Sequence, residues 1–430
     1  MALLPFWIFM ALLMVGMPVV FALLLGPGFS LWIDGRPDAF FGMMQQRLFN
    51  GMKSFPLMAV PFFILAGELM NRGNITLALV EFSKSLIGHV RGGLAQVNIL
   101  SSILFAGLSG SAVADTSALG SMLIPAMEKD GYTRRFAAAV TAASSVIGPV
   151  IPPSIIMVVY AYIMGVSVAA LFAAGFVPGI MMGGGMMIMT SFLARRRNYP
   201  KSERRAPPKE VATAFGHAFL PLLTPVIILG GILSGVFTPT EAAAAAVAYA
   251  LILSLLVTRT LEIARIPDML YRAGIASSSI LFVIGAATLF GWVTSLSGVP
   301  TAVSGILLGV SDNPWVVLFL VNILLLIVGM FFDAGPAILI LGPLLGPTMQ
   351  QLGIDPLHFA IVMCVNLTVG LATPPMGLVL FVASTLTRLS IVEIAKDMWP
   401  FLIVHIMVIF LITYFPFLTM TLPRLFGFGV

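Results

Sequence analysis

Charge is what this chain lacks most. Of its 430 residues only 9% are Asp, Glu, Lys or Arg, against roughly a quarter in soluble domains, so no ordinary water-facing surface can be built from it. Cysteine occurs once, as Cys364 inside an apolar run, which excludes an intrachain disulfide. The four histidines, His89, His217, His358 and His405, are scattered without metal-binding spacing. No phosphate-cradling loop is present, which argues against an ATP-driven pump. Gly107-Leu-Ser-Gly-Ser111 lacks the strand-turn-helix setting of a nucleophile elbow and has no histidine close in sequence, so no enzyme constellation competes. The net charge of +5 is small for the length, and the basic residues sit in short loops; they read as topology signals and not as a nucleic-acid surface. The apolar segment Leu3 to Leu25 has neither a basic leading region nor a clear cleavage site, so it is expected to be a first spanning helix and not a removable signal.

What is present is hydrocarbon. Hydrophobic residues make up 59% of the chain, and the mean hydropathy is +1.07. Many segments approach the about 20 apolar residues of a membrane-crossing helix, and the alternating pattern of barrel strands is absent. The fold class is therefore an all-α polytopic membrane protein embedded in a lipid bilayer. Against that background Gly107 to Asp115 stands out, a run of small and polar residues between two short apolar segments. Polar backbone is tolerated at membrane depth only where it is buried in protein or lines a wet cavity, so this run is expected to be the tip of a re-entrant hairpin covering about residues 93–127. A helix over about 136–164 must be broken by Gly148-Pro-Val-Ile-Pro-Pro153, because proline removes a donor and clashes with the preceding turn. A second hairpin is expected over about 315–350, interrupted at Phe331 to Pro336, and a second broken helix over about 357–386, interrupted at Gly370 to Gly377. A last span is expected from Trp399 to Leu422.

These pieces match at one register. Pro125 pairs with Pro347 (347 − 125 = 222), and the same shift pairs Gly107 with Gly329, Gly148 with Gly370, Pro152 with Pro374 and Pro153 with Pro375, without a gap. Residues 1–194 then form a first repeat and 216–430 a second, joined by a basic linker over 195–215. The arginine-rich linker belongs in the cytoplasm. Counting spans from it puts Arg91, Arg134 and Arg135 inside, as well as Arg265, Arg272 and Arg388, and leaves Asp355 outside. The two hairpins thus enter from opposite faces, the inverted arrangement of many secondary transporters, whose sites lie near the midplane at broken helices. The count is about nine full spans plus two hairpins.

A broken helix exposes carbonyls at the end of its first half and N–H groups at the start of its second. Carbonyl and hydroxyl oxygens suit a small cation, and half-helix N-termini suit an anion. Two cation sites are expected. Ser109, Ser111 and Asp115 from the first tip would face Gly148, Pro149 and Ile151 of the first break, and Gly329 and Asp333 would face Gly370, Thr373 and Met376 of the second. Neutral oxygens dominate these sets, which favours Na⁺ over H⁺. Plainer roles exist for each: serines bond the preceding turn, and Asp115 could cap the second hairpin helix. Asp333 is harder to explain away, since an unpaired carboxylate at membrane depth is costly. Ser144, its neighbour Ser145 and Asn366, just before the breaks, could donate to substrate or bond a neighbouring helix. Glu68 could be a relay, or sit at the interface beside Arg72.

Gly107-Leu-Ser-Gly-Ser-Ala-Val-Ala-Asp115, Ile124-Pro-Ala-Met-Glu-Lys-Asp-Gly-Tyr132, Gly148-Pro-Val-Ile-Pro-Pro-Ser154, Phe332-Asp-Ala-Gly-Pro-Ala-Ile338 and Gly370-Leu-Ala-Thr-Pro-Pro-Met-Gly377 together resemble the large membrane subunit of tripartite ATP-independent periplasmic (TRAP) transporters. The resemblance covers nearly the whole chain. It implies a scaffold domain and a mobile transport domain that carries the hairpins, working by an elevator motion coupled to Na⁺ in the bacterial inner membrane. It also implies a small integral-membrane partner subunit and a soluble periplasmic binding protein that delivers an organic acid. A stand-alone sodium/dicarboxylate or citrate symporter of the wider ion-transporter superfamily, which needs no binding protein, is the nearest alternative. A channel could use the same broken helices.

Overall fold

The computed structural model describes residues 3–35, 37–73, 75–201 and 205–428. Arg36 of the first polar link and the Ser202 to Arg204 part of the basic linker lie outside them. The described chain is helical from end to end, with a single isolated β-bridge between Arg91 and Lys201. The N-terminal helix expected as one span from Leu3 to Leu25 is instead two, α1 (Leu4–Met14) and α2 (Val19–Ile33), which pack on each other. Gly16 at φ +87° and Pro18 at the start of α2 make the turn, a left-handed glycine followed by a residue that cannot continue a helix. Next come α3 (Pro37–Met52) and α4 (Ala59–Arg72), with a 59° bend between Phe41–Met52 and Pro56–Arg72, and then α5 (Ile75–Ile87).

The first tip joins α6 (Gly93–Ser109) to α7 (Ala112–Lys129) through two residues. Helix α8 (Arg134–Ser145) stops before the Gly148 to Pro153 stretch, and α9 (Ile155–Met164) resumes after it. After α10 (Val168–Arg196) and the linker come α11 (Pro208–Leu233), α12 (Pro239–Ile252) with a π-helical extension at Leu253–Val257, α13 (Ile266–Leu296) and α14 (Val299–Val310). Then α15 (Pro314–Phe331), α16 (Ala334–Gln351), α17 (Pro356–Gly370) and α18 (Leu378–Thr387) repeat the earlier order of two helices at a tip and two at a break. The spacing is close: α7 and α16 both start and end 222 residues apart (334 − 112; 351 − 129), and so do the starts of α8 and α17 (356 − 134).

The chain closes with α19 (Ile391–Tyr414) and α20 (Phe417–Leu425), not with one helix from Trp399 to Leu422. A Ser390/Glu393 capping box starts α19 early, and Pro416 forces the preceding residue out of helical geometry. Among the described residues six helices are long and apolar enough to cross a membrane, or seven with the bent pair counted as one, fewer than the nine expected. Part of the shortfall lies in the broken helices, where α9 and α18 have 10 residues each, about 15 Å of rise, and part in the first apolar segment, where α1 has 11 residues and α2 has 15.

Helix α4 packs on α12 and α13, and α13 packs on α2 and α3. Helices α6, α7, α18 and α19 pack on α8, and α9, α10, α15, α16, α19 and α20 pack on α17; residues Phe136 to Ser145 of α8 and Leu357 to Gly370 of α17 are all buried. Helix α8 reads Phe-Ala-Ala-Ala-Val-Thr-Ala-Ala-Ser-Ser, small residues that let neighbouring backbones approach closely without lipid contact.

Candidate functional site at the hairpin tips

At the first tip the turn is made by Gly110 (φ +58°), where a Cβ would stand 2.6 Å from the Pro153 carbonyl of the first break. The tip is thus seated on the break. Ser111 has extended geometry, and its hydroxyl accepts from the Ala114 N–H at 3.4 Å, so Ser111 caps α7. Asp115 does not. It lies one turn further in and is fully buried; its Oδ1 accepts from the Ser109 hydroxyl, while its Oδ2 has no hydrogen-bond partner. A Cβ on Gly148 would collide with that Oδ2, which shows that the free oxygen lies against the break. An unpartnered buried carboxylate oxygen costs far more than a satisfied one. Pro149 offers its carbonyl to the Ser154 hydroxyl, which in turn caps α9. Ile151 points elsewhere, into the space left by Gly179 of α10.

The second tip differs. Asp333 itself caps α16, its Oδ1 accepting from the Ala334 N–H at 2.8 Å, and its side chain is exposed. Gly329 and Gly370 are in backbone contact: a Cβ on Gly329 would lie 3.0 Å from the Gly370 Cα. Gly377 N–H donates to the Met330 carbonyl at 3.1 Å, tying hairpin to break a second time. Thr373 is buried, and its hydroxyl donates to the Val369 carbonyl at 2.8 Å, whereas Met376 is 45% exposed.

Both tips open on one cavity of about 410 Å³, within the range of small-molecule sites. Four helices begin at its wall: α7 with Ala112 and Val113, α9 with Ile155 and Ile156, α16 with Ala334 and Gly335, and α18 with Leu378. Ser111, Asp333 and Pro149 also line it, and α13 closes it with Ser279, Ile280, Val283 and Ile284. Among the described residues no lysine or arginine lines the cavity. The positive ends of four helix dipoles point at it, together with first-turn N–H groups that have no intrahelical acceptor, and Asp333 is the one charged side chain among the described lining residues.

Ser144, Ser145 and Asn366 are not among the lining residues. Ser144 receives the Ser102 hydroxyl at 2.8 Å, and Ser145 donates to the Thr141 carbonyl at 2.8 Å. Asn366 donates to Asn322 Oδ1 at 2.8 Å and to the Val362 carbonyl at 2.7 Å. The α13 face and the α9 N-terminus were missed by sequence reasoning. For α9 a signal existed, since Ser154 directly follows the proline pair as a helix cap would; for α13 none did.

The fold resembles that of the YdaH transporter of Alcanivorax borkumensis, with a TM-score of 0.64 at 14% identity, covering 91% of this chain and 89% of that one. The model of the tripartite ATP-independent periplasmic transporter family, DctM component, matches residues 6–418. The chain belongs to this family. The permease is 40% identical over 424 residues to the sialic acid TRAP transporter large permease protein SiaM of Vibrio cholerae, covering 98% of each chain. It is 36% identical over 440 residues to the C4-dicarboxylate TRAP transporter large permease protein DctM of Rhodobacter capsulatus, covering 99% of each. The 2,3-diketo-L-gulonate TRAP transporter large permease protein YiaN of Escherichia coli is 38% identical over 391 residues, with 91% of each chain covered. This is a multi-pass transporter permease for organic acid uptake and not an enzyme. Large permeases of this family work with a small membrane subunit and a periplasmic binding protein.

Proposed function

We propose that this permease uses the sodium gradient to carry an organic acid across the bacterial inner membrane, taking it from a periplasmic binding protein and working in complex with a small membrane subunit. The observation that carries the reading is the cavity at which α7, α9, α16 and α18 all begin. Helix N-termini converging on one space bind a carboxylate through backbone N–H groups and aligned dipoles. Sodium is assigned to the tips. The unpartnered Asp115 Oδ2 beside Gly148 supports one ion site, with Ser109 as its neighbour. Asp333 with the break at Gly370 to Thr373 supplies the second. The common spacing of 222 residues between α7 and α16 and between α8 and α17 supports an inverted repeat, and its hairpins would move as a transport domain against a scaffold built on α4, α12 and α13.

The test is uptake into proteoliposomes that hold this chain and its small subunit, with binding proteins loaded with sialic acids, dicarboxylates or sugar acids outside. Uptake should need both an inward sodium gradient and the binding protein. Robust uptake without a binding protein would favour a stand-alone symporter, and gradient-independent ohmic conductance would mean a channel.

A further inference from the structure

We infer that the cavity between the tips is built for a monoanionic acid with an apolar body, such as a branched-chain or aryl carboxylate, in preference to a polyhydroxylated acid or a dicarboxylate. The inference rests on the reading of this cavity as the transport site. At the α7 end, Ser111 and Ser154 accept from Ala114 and Met157, the third positions of α7 and α9. That leaves the first two N–H groups of each helix, on Ala112, Val113, Ile155 and Ile156, for a ligand, and all four residues line the cavity. One carboxylate fits there. At the opposite end the Asp333 carboxylate already takes the Ala334 N–H, so the first donor of α16 is not free for a second ligand carboxylate.

Between the ends the walls are hydrocarbon: Ile156 and Val159 of α9, Ile280, Val283 and Ile284 of α13, and Leu339 of α16. Among the described residues, apart from Ser111 and Asp333, the one polar side chain lining it is Ser279, whose hydroxyl already donates to the Ile275 carbonyl at 2.9 Å. Among the described residues no histidine, asparagine or glutamine lines the cavity. Substrate hydroxyls placed against these walls lose water and gain no partner, while an alkyl or aryl body is favoured by burial.

The experiment is isothermal titration of the purified permease with its small subunit, in sodium-containing buffer, using α-ketoisocaproate, gluconate and succinate as probes. α-Ketoisocaproate should bind about 100-fold more tightly than gluconate, the order of discrimination an apolar pocket exerts against added hydroxyls, and more tightly than succinate, whose second carboxylate meets hydrocarbon walls. Val283→Asn, which sets an amide into the wall, should weaken α-ketoisocaproate binding about tenfold and narrow its lead over gluconate. Gluconate or succinate binding as tightly as α-ketoisocaproate overturns the substrate class and leaves the anion site standing. No binding by any of the three to a monodisperse complex overturns both the class and the assignment of the cavity.

Discussion

Replacing Asp115 with Asn separates an ion ligand from a structural hydrogen bond. Asn keeps the size of the side chain and an oxygen that can accept from Ser109, the partner of Oδ1. It removes the negative charge that otherwise lies buried beside Gly148 with one oxygen unpartnered. A contact to a charged group contributes about 1.5–3 kcal/mol, and each 1.4 kcal/mol is about a factor of ten in binding. The half-saturating sodium concentration for uptake should therefore rise by about 10- to 150-fold, with transport partly recovered at high sodium. The assay is sodium titration of uptake in proteoliposomes, accompanied by sodium-dependent thermal stabilisation of the purified complex, since an ion that binds the native state stabilises it by mass action. A variant that folds and transports with unchanged half-saturating sodium would show that Asp115 only anchors Ser109.

Two further substitutions probe what holds the site. Gly370→Ala forces a methyl group into the Gly329 backbone; overpacking costs about 1–3 kcal/mol where side chains can yield, and backbone yields less. Size-exclusion chromatography should show little monodisperse protein, and a wild-type yield with full uptake would refute the close contact of hairpin and break. Asp397 is 3% exposed and pairs with Arg135 at 2.9 Å and with Arg197 at 2.8 Å, joining the starts of α8 and α19 to the end of α10. Asp397→Ala should lower stability by about 1.5–3 kcal/mol, read as a melting temperature several degrees lower; an unmoved melting temperature would show that the two arginines find solvent at no cost.

The helix breaks were legible because proline and glycine act locally: α8 ends and α9 begins on either side of Gly148 to Pro153 whatever surrounds them. The split of the first apolar segment at Gly16 and Pro18 carried the same kind of signal, masked by the uniform hydrophobicity on both sides. Side-chain roles were legible only as far as local geometry determines them. The residue at which α7 starts decides that Ser111 is the cap and that Asp115 falls a turn deeper, and a shift of a few residues would reverse the two. The face of α13 that closes the cavity depends on how α13 meets two hairpins far away in sequence. No periodicity within α13 encodes that meeting.

The two tips distribute their carboxylates differently, and on the proposed sodium coupling the difference predicts an order of binding. Ser111 and Asp333 occupy corresponding positions (333 − 111 = 222), and both cap the second helix of their hairpin. The first carboxylate, Asp115, is sunk into α7 and sealed from the cavity, whereas Asp333 faces it. A substrate carboxylate entering the cavity meets the Asp333 charge. For two charges about 6 Å apart in an effective dielectric of about 20 such a repulsion would be ~3 kcal/mol, about a hundredfold in affinity. On the proposal that Asp333 holds a sodium ion, the ion would cancel that repulsion, and sodium is expected to bind there before the acid. Asp333→Asn keeps a good helix cap and removes the charge. It should raise substrate affinity in sodium-free buffer toward the value in sodium, shrinking a ratio of about a hundred toward one in titrations of the purified complex. A ratio as large in the variant as in the parent would mean that the carboxylate at the second tip is not what makes acid binding wait for sodium.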